Sequence, residues 1–297
     1  MFSLIKKLPL LALLVIFVIT LPGDVEAQAS ECGVKRKVKP GALDEATWKR
    51  LNAVYEDVGE EEYDIAYEKL QKMIPRMVDD YQKAVLAQAT AQVEWARGNY
   101  DEALKGFETA VGLDALPDLA HFGLMYQIAQ LYYMKDRYDE ALDKLALWMC
   151  KVPKEKVTDV AYVLQASLYA QKEDWKNVIV AIEKAISMSE TPKENWYQMK
   201  LAAHFELEQF PKAAQTLEIL IQNWPDKKTY WIQLSQIYYK LMMSDEALSV
   251  LVLAYRRNML DKETDIMYLS NLYSNNEVPY KAAEVLQKGL EDGIVET

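Results

Sequence analysis

The chain has 297 residues, with 34 Lys and Arg against 45 Asp and Glu, and its formal net charge is −11 at pH 7. Nucleic-acid-binding proteins present a positive surface to phosphate, so this acidic balance argues against that class. The chain has only 10 glycines, which leaves little room for a glycine-rich phosphate loop.

The first 29 residues have the order of segments found in a secretory signal peptide. Lys6 and Lys7 precede an uncharged apolar run at residues 8–21, and small residues follow at Ala27 and Ala29. We expect cleavage after Ala29, with Ala27 as the second choice, and a periplasmic or exported mature protein. The apolar run is shorter than the roughly 20 residues that a spanning helix needs. The alternative is that the segment stays uncleaved and anchors the chain in the membrane.

Residues 30–45 form a basic N-terminal tail, and residues 46–297 form the main domain. The basic run at residues 35–39 has two interpretations, a solvated tail or a contact with an acidic partner or anionic headgroups. Cys32 lies in the tail, and Cys150, the other of two cysteines, lies near the end of a predicted helix. An even number of cysteines in an oxidising compartment favours a disulfide. The other interpretation is two separate thiols.

A small residue, called the mark residue below, recurs along the rest of the chain at intervals of 34 to 38 residues. The mark residues are Ala66, Ala103, Ala141, Val178, Ala213, Ala247 and Ala282. An aromatic residue usually precedes the mark by three positions and a large apolar residue follows it by four, as Tyr138 and Leu145 do. A fixed period of this length is typical of a solenoid, in which each repeat packs only on its neighbours.

Each repeat has the pattern of a helical hairpin. Apolar residues at 125–133 share one helix face, polar residues at 135–139 interrupt the pattern, and a second amphipathic run follows at 140–149. Pro153 ends the unit because proline cannot continue a helix. We therefore predict an all-α, right-handed superhelical solenoid of about seven hairpins, without strands. Ala103, Ala141 and Ala247 should be almost fully buried, since small residues let paired helices approach closely.

These positions resemble the tetratricopeptide repeat. The clearest copy has Trp231, Leu234, Ser235 and Tyr238 in its first helix and Ala247, Leu251 and Ala254 in its second. The resemblance covers residues 48–290 and implies first helices that line a concave groove, with second helices outside. Three departures are Val178 in repeat four, an expanded acidic turn at residues 57–62 in repeat one, and Pro279 in repeat seven. We expect the first and last repeats to be caps.

The sequence has no recognisable catalytic constellation. His121 follows a proline at the opening of a helix and is expected at the surface or as a cap, whereas His204 is expected to pack within a helix face. Neither histidine has a second ligand at metal-binding spacing, and no serine stands in a nucleophile turn. We expect a non-enzymatic protein with no cofactor, no metal and no small-molecule substrate.

The residues that face the predicted groove follow from helix register. In each first helix, the residue after the small core residue should face the groove, together with residues three after it and four before it. We assume that the turn in repeat five is one residue shorter than the others, which places Met199 and Ala203 on this face. The predicted groove residues are Gln88, Gln92, Trp95, Tyr126, Gln130, Tyr133, Met199, Ile232, Gln236, Tyr239, Met267 and Asn271.

This set of side chains suits a peptide backbone. An amide side chain offers a donor and an acceptor, so a row of amides can pair an extended main chain whatever its sequence. Aromatic side chains with polar tips add apolar contact area. The other interpretation is that glutamine at a solvent-facing position is simply a good helix former. Lys and Arg are nearly absent from the set, which argues against a clamp for a free C-terminal carboxylate.

The sequence thus predicts a periplasmic, non-enzymatic adaptor that binds a peptide segment of an envelope protein and no nucleic acid. The segment Glu31-Cys32-Gly33, followed by a basic stretch and repeats, is similar to proteobacterial periplasmic repeat proteins found alongside TonB–ExbB–ExbD systems. That resemblance implies a partner in such a transport system. The alternative is a structural envelope-assembly protein that acts through its convex face or by self-association. A contiguous apolar patch outside the groove would favour this alternative.

Overall fold

A computed structural model of the chain describes residues 36, 38 and 41–296. Within these residues the chain forms α-helices and two short 3-10 helices, Ile74–Arg76 and Lys154–Lys156, without a β-strand. The predicted signal peptide lies outside the described residues. None of the helices in the described part is both long and apolar enough to cross a membrane.

The described helices pair in chain order into seven hairpins. They are α1 (Glu45–Gly59) with α2 (Tyr63–Met73), α3 (Asp80–Ala96) with α4 (Tyr100–Gly112), α5 (Asp118–Met134) with α6 (Tyr138–Lys151), α7 (Asp159–Gln171) with α8 (Trp175–Met188), α9 (Glu194–Glu206) with α10 (Phe210–Asn223), α11 (Lys228–Lys240) with α12 (Ser244–Arg256), and α13 (Glu263–Asn275) with α14 (Pro279–Glu291). Consecutive hairpins also pack on each other. The all-α solenoid of seven hairpins is confirmed.

The turns inside the seven hairpins have the same length. Each first helix ends seven residues before the mark residue and each second helix begins three residues before it. The middle residue of each three-residue turn has a positive φ between 52° and 80°, a conformation that reverses the chain after a helix. Equal turns overturn two expectations. The acidic turn of repeat one is not expanded, and the turn of repeat five is not shorter.

The mark residues form the centre of the core. Ala103, Ala141 and Ala247 have no exposed surface, so their predicted burial is confirmed. Val178, the larger mark of repeat four, is also fully buried. Four residues after a mark, a large side chain such as Leu145 fills the space between helices and is itself fully buried. Full burial of such a side chain stabilises the fold by about 1.5–3 kcal/mol.

A polar or aromatic side chain lies nine residues before each mark. In repeat two, buried Glu94 accepts a hydrogen bond from Asn99 Nδ2 at 2.6 Å. In repeat five, buried His204 places Nδ1 3.0 Å from Gln209 Oε1. The seven residues at this position are Asp57, Glu94, Tyr132, Tyr169, His204, Tyr238 and Tyr273. His204 therefore packs within the helix face as predicted, and burial lowers its pKa.

The N-terminal tail contacts the third hairpin through Arg36. Its guanidinium donates from Nε to Asp114 Oδ1 at 2.7 Å and from Nη1 to Asp118 Oδ1 at 2.8 Å. Nη2 donates to the carbonyl of Leu116 at 2.9 Å, and the side chain is only 9% exposed. Hydrogen bonds between ionised groups are the stronger kind. Neither a solvated tail nor a contact with an outside partner therefore holds at Arg36, whose charge is paired within the chain.

The same contact region encloses His121. This histidine is 4% exposed, so the expectation that it lies at the surface is wrong. Its Nδ1 lies 3.7 Å from Asp114 Oδ1, in the loop that Arg36 also contacts. Burial, together with the nearby Arg36 charge, lowers the pKa of His121 to about 4.

The predicted disulfide involves one described cysteine. Cys150 is partly buried near the end of α6 and is not a free thiol. Cys32 lies outside the described residues. The bridge between Cys32 and Cys150 stays a prediction.

Candidate functional site

Eleven of the twelve predicted groove residues share three register positions on the first helices. They lie 15, 11 and 8 residues before a mark, as Tyr126, Gln130 and Tyr133 do before Ala141. Spacings of four and three residues place side chains on one helix face. All eleven are partly buried or exposed, and none belongs to the buried core. We call this surface the first-helix face.

Met199 does not share this register, so its assignment is corrected. Leu201 in repeat five occupies the position that is small in most repeats, and it is 6% exposed. The predicted register used the small residues that follow and placed Ala203 on the groove face, but Ala203 is fully buried. Met199 packs beside a buried cluster that includes Ile182 of α8. The residues of repeat five at the three positions are Gln198, Ala202 and Phe205.

Two aromatic residues of the first-helix face also support the fold. The Trp95 ring packs edge-on against Tyr100 and Phe107, with centroids 6.3 Å and 6.2 Å away. The ring centroids of Tyr133 and Tyr138 lie 6.0 Å apart. Because Phe107 is fully in the core, Trp95 contributes to stability as well as to the surface. Replacing Trp95 would therefore not test binding alone.

A concave pocket on this face lies between α5, the end of α6 and the start of α7. This repeat 3–4 groove has a volume of about 710 Å³ and contains two of the predicted residues, Tyr126 and Gln130. Its walls are mainly apolar and are formed by Leu119, Phe122, Tyr126, Trp148, Val152 and Val160. Leu119 is 90% exposed and Val160 is 55% exposed. The groove has the size and the apolar lining of a typical ligand site.

Two local features explain why the groove opens between repeats three and four. The connection from α6 to α7, residues 152–158, is the longest between described hairpins and includes Pro153. Trp148 lies seven residues after its mark, where Ala110, Ala185 and Ala254 lie in other repeats. The large indole forms part of the groove wall, and the Tyr126 ring lies 4.9 Å from it at an angle of 51°.

Two polar atoms of the groove-lining residues have no hydrogen-bond partner in the described part of the chain. They are Oε1 of Gln127 and Nε1 of Trp148, and both are shielded from solvent. An unpaired buried polar group costs about 1–3 kcal/mol. Polar groups left unpaired inside a protein are uncommon and call for an explanation.

The groove has few charged groups. Asp118 lies at one rim, where its carboxylate is paired with Arg36. Lys156 also lines the groove and is exposed. Burial raises the pKa of Tyr126, so its hydroxyl keeps its proton and can donate a hydrogen bond. Across the described residues, no group of three or more His, Cys, Asp or Glu could hold a metal ion.

A second exposed apolar surface lies outside the repeat 3–4 groove, at the turns of repeats six and seven. This turn patch consists of Met242, Met243, Val278 and Tyr280, which are 88%, 37%, 38% and 76% exposed. The two regions are adjacent, since Nδ2 of Asn276 in the turn of repeat seven donates to the carbonyl of Ser244, the first residue of α12, at 3.4 Å. Our sequence reasoning missed the patch. The signal was Met242, because the middle turn residue is acidic in five of the seven repeats and glycine in another.

The architecture defines a class of protein, the all-α solenoid built from helical hairpins in register. Residues 89–148, in the second and third hairpins, match the sequence model of the tetratricopeptide repeat. All seven hairpins share the same turn and the same buried mark. Residues 89–148 are tetratricopeptide repeat sequence, and the other hairpins repeat their geometry.

Solved structures with a similar fold include tetratricopeptide repeat proteins. A tetratricopeptide repeat protein from Parabacteroides merdae is 12% identical, with a TM-score of 0.52 over 84% of this chain and 93% of that chain. The C-terminal part of a TPR repeat-containing protein from Cytophaga hutchinsonii is 13% identical, with a TM-score of 0.53 over 80% and 93%. At these identities the likeness shows the fold alone. Comparison with curated protein sequences gives no match.

Proposed function

We propose that this protein is a non-enzymatic adaptor that binds a peptide segment of a partner on its first-helix face, centred on the repeat 3–4 groove. The observation that carries the proposal is the exposure of Leu119 and Val160 beside the aromatic wall of that groove. Large apolar side chains that are grouped in a concave surface and open to solvent mark interaction sites.

The cellular setting is part of the same proposal. The signal-like order of residues 1–29 supports export to the periplasm. An exported adaptor would bind an envelope protein, and the similarity of the tail segment favours a TonB-type transport system. N-terminal sequencing of the exported protein should find a start at Ser30. A chain that keeps its first residues in the membrane fraction would instead be an anchored adaptor.

The binding site is tested by paired variants with exposed substitutions. Leu119→Ser/Val160→Ser alters the groove, and the matched control, Met242→Ser/Tyr280→Ser, alters the turn patch. Because all four side chains are more than half exposed, both variants should keep the melting temperature of the parent. Capture of partners from envelope extract by the groove variant should fall more than tenfold, as expected when interface anchors are removed. Capture that the groove variant retains in full would contradict the proposal.

The second candidate function is envelope assembly through the turn patch. Met242 in the turn of repeat six and Tyr280 near the start of α14 are highly exposed outside the groove, which is the feature expected of a self-associating surface. Light scattering across a concentration series tests this candidate. It requires a dimer or larger species that Met242→Ser/Tyr280→Ser converts to monomer, and a parent that stays monomeric would reject it.

A further inference from the structure

We infer that the repeat 3–4 groove binds an internal, extended peptide segment through one large apolar side chain and the main-chain amides beside it. The inference rests on the proposed function and adds the chemistry of the ligand. Its basis is the pair of unsatisfied polar atoms among the groove-lining residues. Trp148, whose Nε1 lacks a partner among the described residues, is only 8% exposed.

The two atoms have opposite hydrogen-bonding character. Nε1 of Trp148 can only donate, and Oε1 of Gln127 can only accept. A peptide backbone supplies a carbonyl for the first and an N–H for the second. A hydrocarbon chain supplies neither, and a carboxylate supplies acceptors without a donor. The pair therefore selects an amide-bearing ligand.

The apolar wall supplies the rest of the contact. Leu119, Phe122 and Val160 line the same groove as the two polar residues, so a large side chain beside the bound amide would cover them. Both polar atoms are shielded from solvent by the chain itself. Binding therefore requires the Gln127 side chain and the Tyr126 ring, which packs on Trp148, to shift as the ligand enters.

Short capped peptides test the anchor. The probes are acetyl-Ser-Gly-X-Gly-Ser-amide with X as Phe, Leu or Ala, added to the 15N-labelled full chain. The readout is the indole N–H resonance of Trp148, assigned by its loss in Trp148→Phe. The Phe probe should saturate in the millimolar range that suits a ligand of this size and should bind at least fivefold more tightly than the Ala probe. The indole proton should shift downfield as it gains an acceptor.

N-methylated probes test the backbone pairing. Methylation at X, or at the glycine after it, removes one N–H and keeps the apolar side chain. One of the two methylated Phe probes should bind about tenfold more weakly than the parent probe. Gln127→Met removes the acceptor at similar size. It should weaken binding of the parent Phe probe by the same factor as that methylation does, and it should not change binding of that methylated probe. Such non-additivity identifies two partners in one interaction.

The outcomes separate this inference from the proposed function. Equal binding of parent and methylated probes, or no Trp148 shift with the Phe probe, overturns the inference. If Leu119→Ser/Val160→Ser still loses partner capture in that case, the groove binds partners by other chemistry and the proposed function stands. Gln127→Met keeps the test available if Trp148→Phe does not fold, since the probe resonances themselves report binding.

Discussion

His121 shows how a residue far away in sequence determines the state of a side chain. It is buried beside the connection between α4 and α5, where Asp114, the carbonyl of Leu116 and Asp118, the first residue of α5, accept hydrogen bonds from Arg36. Burial is the main cause of its lowered pKa, the Arg36 charge adds to it, and Asp114 opposes it. The sequence could not show this environment, because the tail contact that builds it depends on the folded chain.

The depressed pKa of His121 predicts a loss of stability in mild acid. The folded chain keeps His121 neutral down to about pH 4, whereas the unfolded chain protonates it near pH 6.5. Between these values the unfolded state binds more protons, so the free energy of unfolding falls as pH falls. The stability contribution is full above pH 6.5 and is lost by about pH 4, at most about 3 kcal/mol. The free energy of unfolding, measured with urea, should differ less between pH 7 and pH 4.5 for His121→Gln than for the parent.

Arg36→Gln provides a control for this interpretation. Removing the guanidinium charge should raise the pKa of His121, which a titration of its ring resonances by NMR measures. Suppose that the His121 pKa stays at its parent value in Arg36→Gln and that His121→Gln loses as much stability in acid as the parent. The Arg36 contact then does not determine the His121 pKa, and His121 does not cause the loss of stability in acid.

At the scale of the element, the hairpin is the unit that spacing predicts best. The aromatic residue three positions before a mark begins the second helix in five repeats, as Tyr138 begins α6. Register alone also identified the first-helix face. It failed at Met199, since Leu201 lacks the small side chain used to align the repeats and the adjacent alanines imitate it. The groove was not predictable from register, because it arises from Trp148 and the long connection at residues 152–158.

Ala141→Leu tests the packing of a hairpin. Ala141 has no exposed surface between α5 and α6, so three added heavy atoms must displace close-packed neighbours. Overpacking of this kind costs about 1–3 kcal/mol, which urea unfolding detects. Ala146→Leu is the matched control, since Ala146 is exposed on the same helix and leucine is a good helix former. Equal effects of the two substitutions would contradict the assigned register.

At the scale of the whole molecule, the two ends of the solenoid are fastened differently. Each repeat contacts mainly its neighbours, so the stability of a repeat depends on the repeats directly before and after it. The N-terminal end has an added link, because Arg36 precedes the first hairpin and binds the start of the third. The C-terminal end closes locally, with Val295 packed over Gly289 and near Ile266 of the same hairpin. The sequence predicted caps at both ends but not this asymmetry, which depends on a contact between residues 82 positions apart.

The asymmetry predicts which end opens first. Terminal repeats of a solenoid fray because they have one neighbour, and partial opening is visible in native-state hydrogen exchange. In a denaturant series, amides of α13 and α14 should lose protection at a lower concentration than amides of α1 and α2. Arg36→Gln removes the additional link, so amides of α1 and α2 should lose protection at a lower denaturant concentration than in the parent. The concentration at which α13 and α14 lose protection should not change. An N-terminal hairpin that opens first in the parent, or that is unaffected by Arg36→Gln, would mean that the tail contact does not fasten the solenoid.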